Sequence, residues 1–183
     1  SWYGEARSYR FGRLSLDRTW RLHNEATVRM NGLVEDRFDA RYRSNEATIL
    51  GLNAEFNRRL GNGDLLALSL ALRDTDSVSA NGTFQAASFR AAYSFDQPVG
   101  PVRLSAGLTL GYSDYPVYQS GLFLVPGGRQ DQSYYADVNM FFDQIDYAGF
   151  APMLRIRAGR RRSNDSRFNS REVSVSLGVQ SKF

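Results

Sequence analysis

The stretch Arg171-Glu-Val-Ser-Val-Ser-Leu-Gly-Val-Gln-Ser-Lys-Phe183 decides the fold. Val173, Val175, Leu177, Val179 and Phe183 share one parity, against Glu172, Ser174, Ser176, Gly178 and Gln180 on the other. A strand turns alternate side chains to opposite faces, so this segment has one apolar and one polar face. It then stops on an aromatic residue. The closing strand of a bacterial outer-membrane β-barrel ends this way, with Val175, Leu177 and Val179 against lipid and Phe183 as the signal that the barrel-assembly machinery reads. The last strand of a soluble sandwich shares the alternation, so the rest of the chain has to separate the two.

Working back from the carboxy terminus, the same pattern recurs and helical periodicity does not. Leu154, Ile156 and Ala158 oppose Arg155, Arg157 and Gly159; Tyr134, Ala136, Val138, Met140 and Phe142 oppose Asp137, Asn139 and Asp143. Further amphipathic runs start at Val102, Ala87, Leu66, Leu50 and Trp20. Eight strands result, and residues 4–16 supply a candidate ninth with a blurred, arginine-rich pattern. The links at 61–64, 96–101 and 144–149 are short and carry Gly, Pro or Asp, whereas those at 35–45, 74–82, 113–132 and 163–170 are longer. Alternating short and long connections are expected of a transmembrane barrel and not of a sandwich.

The inward parity mixes small residues with Glu25, Arg29, Glu55, Arg90, Arg103, Asp137, Asp143, Arg155, Arg157 and Glu172. Charges of both signs on one continuous face suit a hydrated or salt-bridged lumen, since isolated buried charges are costly. Aromatics gather near strand ends, as interfacial girdles require. The predicted fold is therefore an all-β, transmembrane antiparallel barrel of eight or nine strands in a single domain, residues 1–183, either closed by itself or the carboxy-terminal part of a larger barrel.

Composition agrees with this. No run approaches the roughly 18 apolar residues of a spanning helix. Absent cysteines fit a chain that crosses an oxidising compartment, though zero is also common by chance. The opening Ser-Trp-Tyr-Gly-Glu has no basic-then-apolar leader, which reads as a mature chain or a piece of a longer one. A net charge of +4 comes from arginines scattered over every strand, which argues against a nucleic-acid partner.

From Asp114 onward the chain resembles the carboxy-terminal barrel of the surface lipoprotein assembly modulator (Slam) family. The resembling residues are Asp114, Tyr115 and Tyr118; Arg129 and Asp131; Tyr147, Gly149, Phe150 and Pro152; and Ser163 with Asn164. The resemblance implies a Gram-negative outer-membrane protein that moves or displays surface lipoproteins or related secreted passengers. The family pairs a periplasmic helical-repeat region with a barrel of about 14 strands, a count that 183 residues cannot supply.

Candidates for chemistry are few. His23 is the sole histidine, on the inward parity beside Arg21 and Glu25, and reads as an ordinary lumen residue. One histidine and no cysteine make neither a zinc set nor a hydrolase convincing. Asp74, Asp76, Asp114 and Asp131 fall in the expected outer loops without calcium-loop spacing. No metal, no cofactor and no enzymatic activity are expected. Gly121-Leu-Phe-Leu-Val-Pro126 is unusually apolar for the longest outer loop and is a candidate passenger contact, or packs on its own barrel. Arg160, Arg161 and Arg162 approach the outer rim, where lipopolysaccharide phosphates are the expected partner. The functional alternative is a small structural or passive-pore barrel without a passenger.

Overall fold

The computed structural model describes every residue except 1, 4, 5, 8, 24, 41, 146–148, 182 and 183, together with the side chains of 2, 3, 6 and 7. Phe183 and Tyr147 therefore lie outside the described residues. Nine long strands follow one another: β1 (Arg10–Leu22), β2 (Ala26–Phe38), β3 (Ala47–Arg59), β4 (Leu65–Ser77), β5 (Phe84–Ser94), β6 (Arg103–Tyr115), β7 (Arg129–Phe141), β8 (Phe150–Ser163) and β9 (Ser170–Ser181). They form one antiparallel sheet in sequence order. Two-residue ladders pair Trp2–Tyr3 with Ala6–Arg7 and Gln119–Ser120 with Phe123–Leu124.

Two sequence expectations need correcting. The alternation alone runs Trp20 to Asn31 as one strand, but the chain reverses between Leu22 and Ala26, which pair with each other. Glu25 sits in that turn at φ 54°, facing Arg59 at 3.8 Å, and is no lumen residue. His23 lies in the same exposed turn. The candidate ninth strand is thus real, but it spans Arg10–Leu22. The second correction concerns loop length. Connections at one end, called lower here, cover 23–25, 60–64, 95–102 and 142–149; those at the upper end cover 39–46, 78–83, 116–128 and 164–169. The expected contrast shrinks because backbone pairing runs three or four residues into three of the expected upper loops, ending at Phe38, Ser77 and Tyr115 and resuming at Arg129. Asp74 and Asp76 lie within β4, Asp114 within β6 and Asp131 within β7, not in loops.

Burial is inverted relative to a water-soluble protein. Among the described residues only Ala26, Ile49 and Ala151 are buried hydrophobics, while 32 large hydrophobics are exposed. Glu35, Arg129, Asp131 and Asp137 are buried instead. Charged groups are rarely buried unless paired, and these four are paired. The two faces explain the inversion. One carries the row Arg29, Glu55, Ser69, Arg90, Thr109, Tyr135, Gly159 and Glu172 across β2 to β9. The other carries Trp20, Val28, Phe56, Leu68, Ala91, Leu108, Ala136, Ala158 and Val173.

The apolar face is a slanted band. Its uppermost apolar row is Leu14, Val34 and Leu50 on β1 to β3. It drops by two residues to Leu72, Ala87 and Tyr112 on β4 to β6, by two more to Tyr134 on β7, and by two more to Ala158 and Val173 on β8 and β9. Six residues of drift over eight strand steps make the band level when the strands tilt by about 27°, taking ~3.3 Å per residue and ~4.8 Å between strands. Complete membrane barrels tilt somewhat more, roughly 35–45°. Leu104 to Tyr112 on β6 spans about 27 Å along the strand, hence about 24 Å of band height, close to the ~25 Å of a barrel's apolar belt. Tyr112 and Tyr134 close its top; Tyr93 and Phe95, stacked edge-on at 5.1 Å, close its bottom on β5.

The sheet has two free edges among the described residues, β1 and β9. Since neighbours alternate direction, these two strands run the same way. Pairing them directly would make a parallel contact, so antiparallel closure requires an odd number of further strands.

Candidate functional site

The upper end is built from one repeated device. Ala40 N–H donates to Glu46 Oε1 at 3.3 Å, Ser77 N–H to Thr83 Oγ1 at 3.0 Å, and Ser163 N–H to Asn169 Oδ1 at 2.8 Å. Each six-residue clasp encloses a single 3₁₀ turn: Arg43–Asn45, Ala80–Gly82 and Ser166–Phe168. Ser and Asp side chains tie the turns further, as their short oxygens allow. Ser77 Oγ accepts from Ser79 N–H and Ser163 Oγ from Asp165 N–H, both at 3.2 Å. Asp165 is held below the usual carboxylate range, chiefly by the Arg167 guanidinium.

Two of these clasped loops, 78–83 and 164–169, grip the fourth, residues 116–128. Asn81 gives its Nδ2–H to the Gln119 carbonyl at 2.8 Å and accepts the Gln119 N–H at 2.6 Å. Asn164 does the same on the other flank, donating to the Gly128 carbonyl at 2.9 Å and accepting from Gln130 N–H at 2.8 Å. Each amide stands in for one backbone unit of a neighbouring strand. Gly128 has φ 77°, and a Cβ there would strike the Tyr115 and Pro116 carbonyls, so only glycine lets the loop return this closely.

Beneath the loop, on the charged face, Arg129 lies among three rings, its guanidinium 4.5 Å from the centre of Tyr115, 4.9 Å from Tyr118 and 3.5 Å from Phe168. The same guanidinium makes a forked pair with Asp131, 2.6 Å from Nη2 to Oδ2. The rings continue from Tyr118 through Tyr115 to Phe84. Stacking plus a bidentate carboxylate uses the features that distinguish arginine from lysine. The product of this packing is a fixed loop whose tip points away from it. Leu122, Phe123 and Leu124 are 91%, 78% and 66% exposed on a hairpin turned at Gly121. No nucleophile–base pair occurs in the cluster, and no grouping of three or more metal-ligating side chains exists among the described residues.

The structure thus gathers Asp114, Tyr115, Tyr118, Arg129, Asp131, Ser163 and Asn164, which lie far apart in sequence, at one end of β6 to β8. Gly149, Phe150 and Pro152 fall at the opposite, lower end and take no part. Asn81 and Phe168 belong to the site and were not singled out from sequence. The polar residue six positions after Ala40, Ser77 and Ser163 marks the clasps around them, a spacing legible only once three loops are aligned, but it does not point to Asn81 or Phe168 themselves.

Several charges of the polar face are paired. Arg90 and Arg155 share Asp137, at 2.6 and 3.5 Å. Arg29 meets Asp17 at 2.8 Å and faces Glu55 across the strand pair. Arg157 lies 4.1 Å over the Tyr135 ring, which covers the bare Cα of Gly159. Arg103 reaches Asp143 at 2.7 Å, but Asp143 is in the lower link just past β7. Glu172 lies on the charged face opposite Gly159. Of the three consecutive arginines, Arg161 belongs to this charged face, opposite Ser133 and Ser170. Arg160 and Arg162 belong to the apolar one. Of the closing-strand residues, Val175, Leu177 and Val179 are exposed on the apolar face.

At the lower end the Asp64 carboxylate gathers three donors. Tyr93 donates its hydroxyl, Asp96 its backbone N–H at 2.8 Å and Asn62 its amide at 2.6 Å, and the tyrosine above all holds the Asp64 carboxyl below its ordinary range. Asn62 Oδ1 in turn accepts the Asp64 N–H at 3.2 Å. No family model, no curated protein and no solved structure matches this chain.

Proposed function

We propose that the chain is a membrane-spanning part of a bacterial outer-membrane β-barrel that moves or displays passenger proteins at the cell surface, as its Slam-like residues imply. The observation that carries the membrane part is the level apolar band, about 24 Å high, on a sheet whose other face holds paired charges. In water such a face would be an aggregation surface. Support for a passenger comes from the exposed Leu122–Phe123–Leu124 tip, held rigidly by Asn81 and Asn164. The mechanism is contact and templating without covalent chemistry.

The upper end faces outward in this reading. An interior lined by paired arginines and carboxylates supports a second reading, a structural or passive-pore barrel with no passenger. The two separate in a cell. Deleting the gene abolishes surface display of a partner lipoprotein while its synthesis continues; undiminished display overturns the passenger reading. Fractionation of the protein with soluble material overturns the membrane reading. Refolding of the 183-residue chain alone in detergent, read by gel migration with and without boiling, addresses closure. The nine-strand directions predict no boiling-sensitive band from the single chain.

A further inference from the structure

We propose that Arg160, Arg162 and Arg171 form a binding site for the phosphate groups of a membrane glycolipid, and that Arg161 takes no part in it. The inference rests on the membrane reading above. Arg160 and Arg171 are cross-strand partners on the apolar face, and Arg162 stands two residues further up β8 on the same side. All three are exposed. Directly below them on the same face come Ala158 with Val173 and Ile156 with Val175, so the guanidiniums start at the row where the apolar band stops.

Two like charges directly opposite in a strand pair repel. Many of the protein's arginines are answered by a carboxylate, as Asp17 answers Arg29, Asp137 Arg90, Asp131 Arg129 and Asp165 Arg167. Arg18, Arg21, Arg58, Arg73, Arg157 and Arg161 have no such ion pair among the described residues, but none of them faces another arginine across a strand pair as Arg160 faces Arg171. No acid forms an ion pair with Arg160, Arg162 or Arg171 among the described residues. Their flank on β7 is neutral, Tyr134 beside Arg160 and Gln132 beside Arg162, with the Tyr134 hydroxyl donating to Gln132 Oε1 at 3.0 Å. An anion is the missing partner. A ligand with acyl chains along the band and phosphate at its upper limit satisfies both halves of this surface, and guanidinium forks match phosphate oxygens.

Elsewhere the upper limit is acidic or neutral. Asp74 and Asp114 top the band on β4 and β6, with Gln85 between them. The phosphate site is therefore confined to β8 and β9.

The test uses the full-length protein, extracted in detergent and reconstituted into phosphatidylcholine vesicles containing a trace of bisphosphorylated lipid A or its dephosphorylated form. Retained lipid is counted after re-extraction. The wild type and Arg161→Gln are expected to retain bisphosphorylated lipid A equally, and the Arg160→Gln/Arg162→Gln/Arg171→Gln variant at least five-fold less. Arg171→Glu gives Arg160 a protein partner and is expected to lose lipid while keeping its resistance to unfolding. Equal retention by the triple variant, or equal retention of the dephosphorylated lipid, overturns the proposal. Displacement by millimolar inorganic phosphate shows a free-anion site and overturns it too. If no form inserts into vesicles, the membrane reading fails, and this inference with it.

Discussion

Arg90 on β5 reaches across β6 to Asp137 on β7, passing over the bare Cα of Gly107 and making two hydrogen bonds of 2.6 and 2.9 Å. A Cβ at Gly107 would run into that guanidinium. The contact spans three strands, so it ties the middle of the sheet together on the charged face.

Asp137 is almost wholly enclosed, and removing it leaves Arg90 and Arg155 facing each other. Asp137→Ala is expected to cost about 2–3 kcal/mol, the order seen when a charged hydrogen-bond partner is deleted. Gly107→Val should lose a similar amount by evicting Arg90. Arg155→Gln, more exposed and 3.5 Å away, should cost little. Urea midpoints of the reconstituted protein check the order; an unchanged midpoint for Asp137→Ala means the pair contributes nothing net.

Replacing Arg129 by lysine keeps the charge but loses the planar stack on Phe168 and the fork to Asp131. Loop 116–128 then loses its floor while Asn81 and Asn164 still hold its flanks. Chymotrypsin should cut at Phe123 several-fold faster in Arg129→Lys, and faster again with Asn164→Ala added. Equal cleavage rates would show that the loop is held by the asparagines alone.

Asp64 sets a pH dependence. A carboxylate whose folded pKa lies below its unfolded value adds stability that is complete above the unfolded pKa and fades as pH falls through the folded one. Stability should therefore hold from neutral pH to about 4 and decline below it. Asp64→Asn is expected to be less stable at pH 7 and to lose less on acidification; Tyr93→Phe, which removes the chief donor, should shift in the same direction. Parallel pH profiles for Asp64→Asn and the wild type would exclude Asp64 as the source.

Strand number and the two faces were legible because alternation is a local property: Val173 to Val179 reads the same in sequence and in space. The turn at 23–25 was not, because it has neither Gly nor Pro. Its left-handed residue is Glu25, and the parity of Trp20 and Val28 runs through it unbroken. The Arg129 cluster was half legible. Its members could be named one by one, but bringing Tyr115, Arg129, Ser163 and Phe168 together needs the register of β6, β7 and β8, which no single strand encodes. Arg171 escaped for the same reason. It lies outside the Arg160–Arg162 run and joins it only through cross-strand pairing.

The apolar tip offers the sharpest test of the passenger reading. Leu122 and Phe123 are nearly free of the rest of the chain, so changing them should leave the fold intact. If the tip meets a passenger, Leu122→Asp/Phe123→Asp removes two apolar anchors and sets charge against the contact. Burial of each anchor is worth about 1.5–3 kcal/mol, so surface display of the passenger should fall by about ten-fold or more. Outer-membrane levels and unfolding midpoints should not move. A tip that instead rests in lipid headgroups gives the opposite pattern, with display unchanged and membrane extraction made easier.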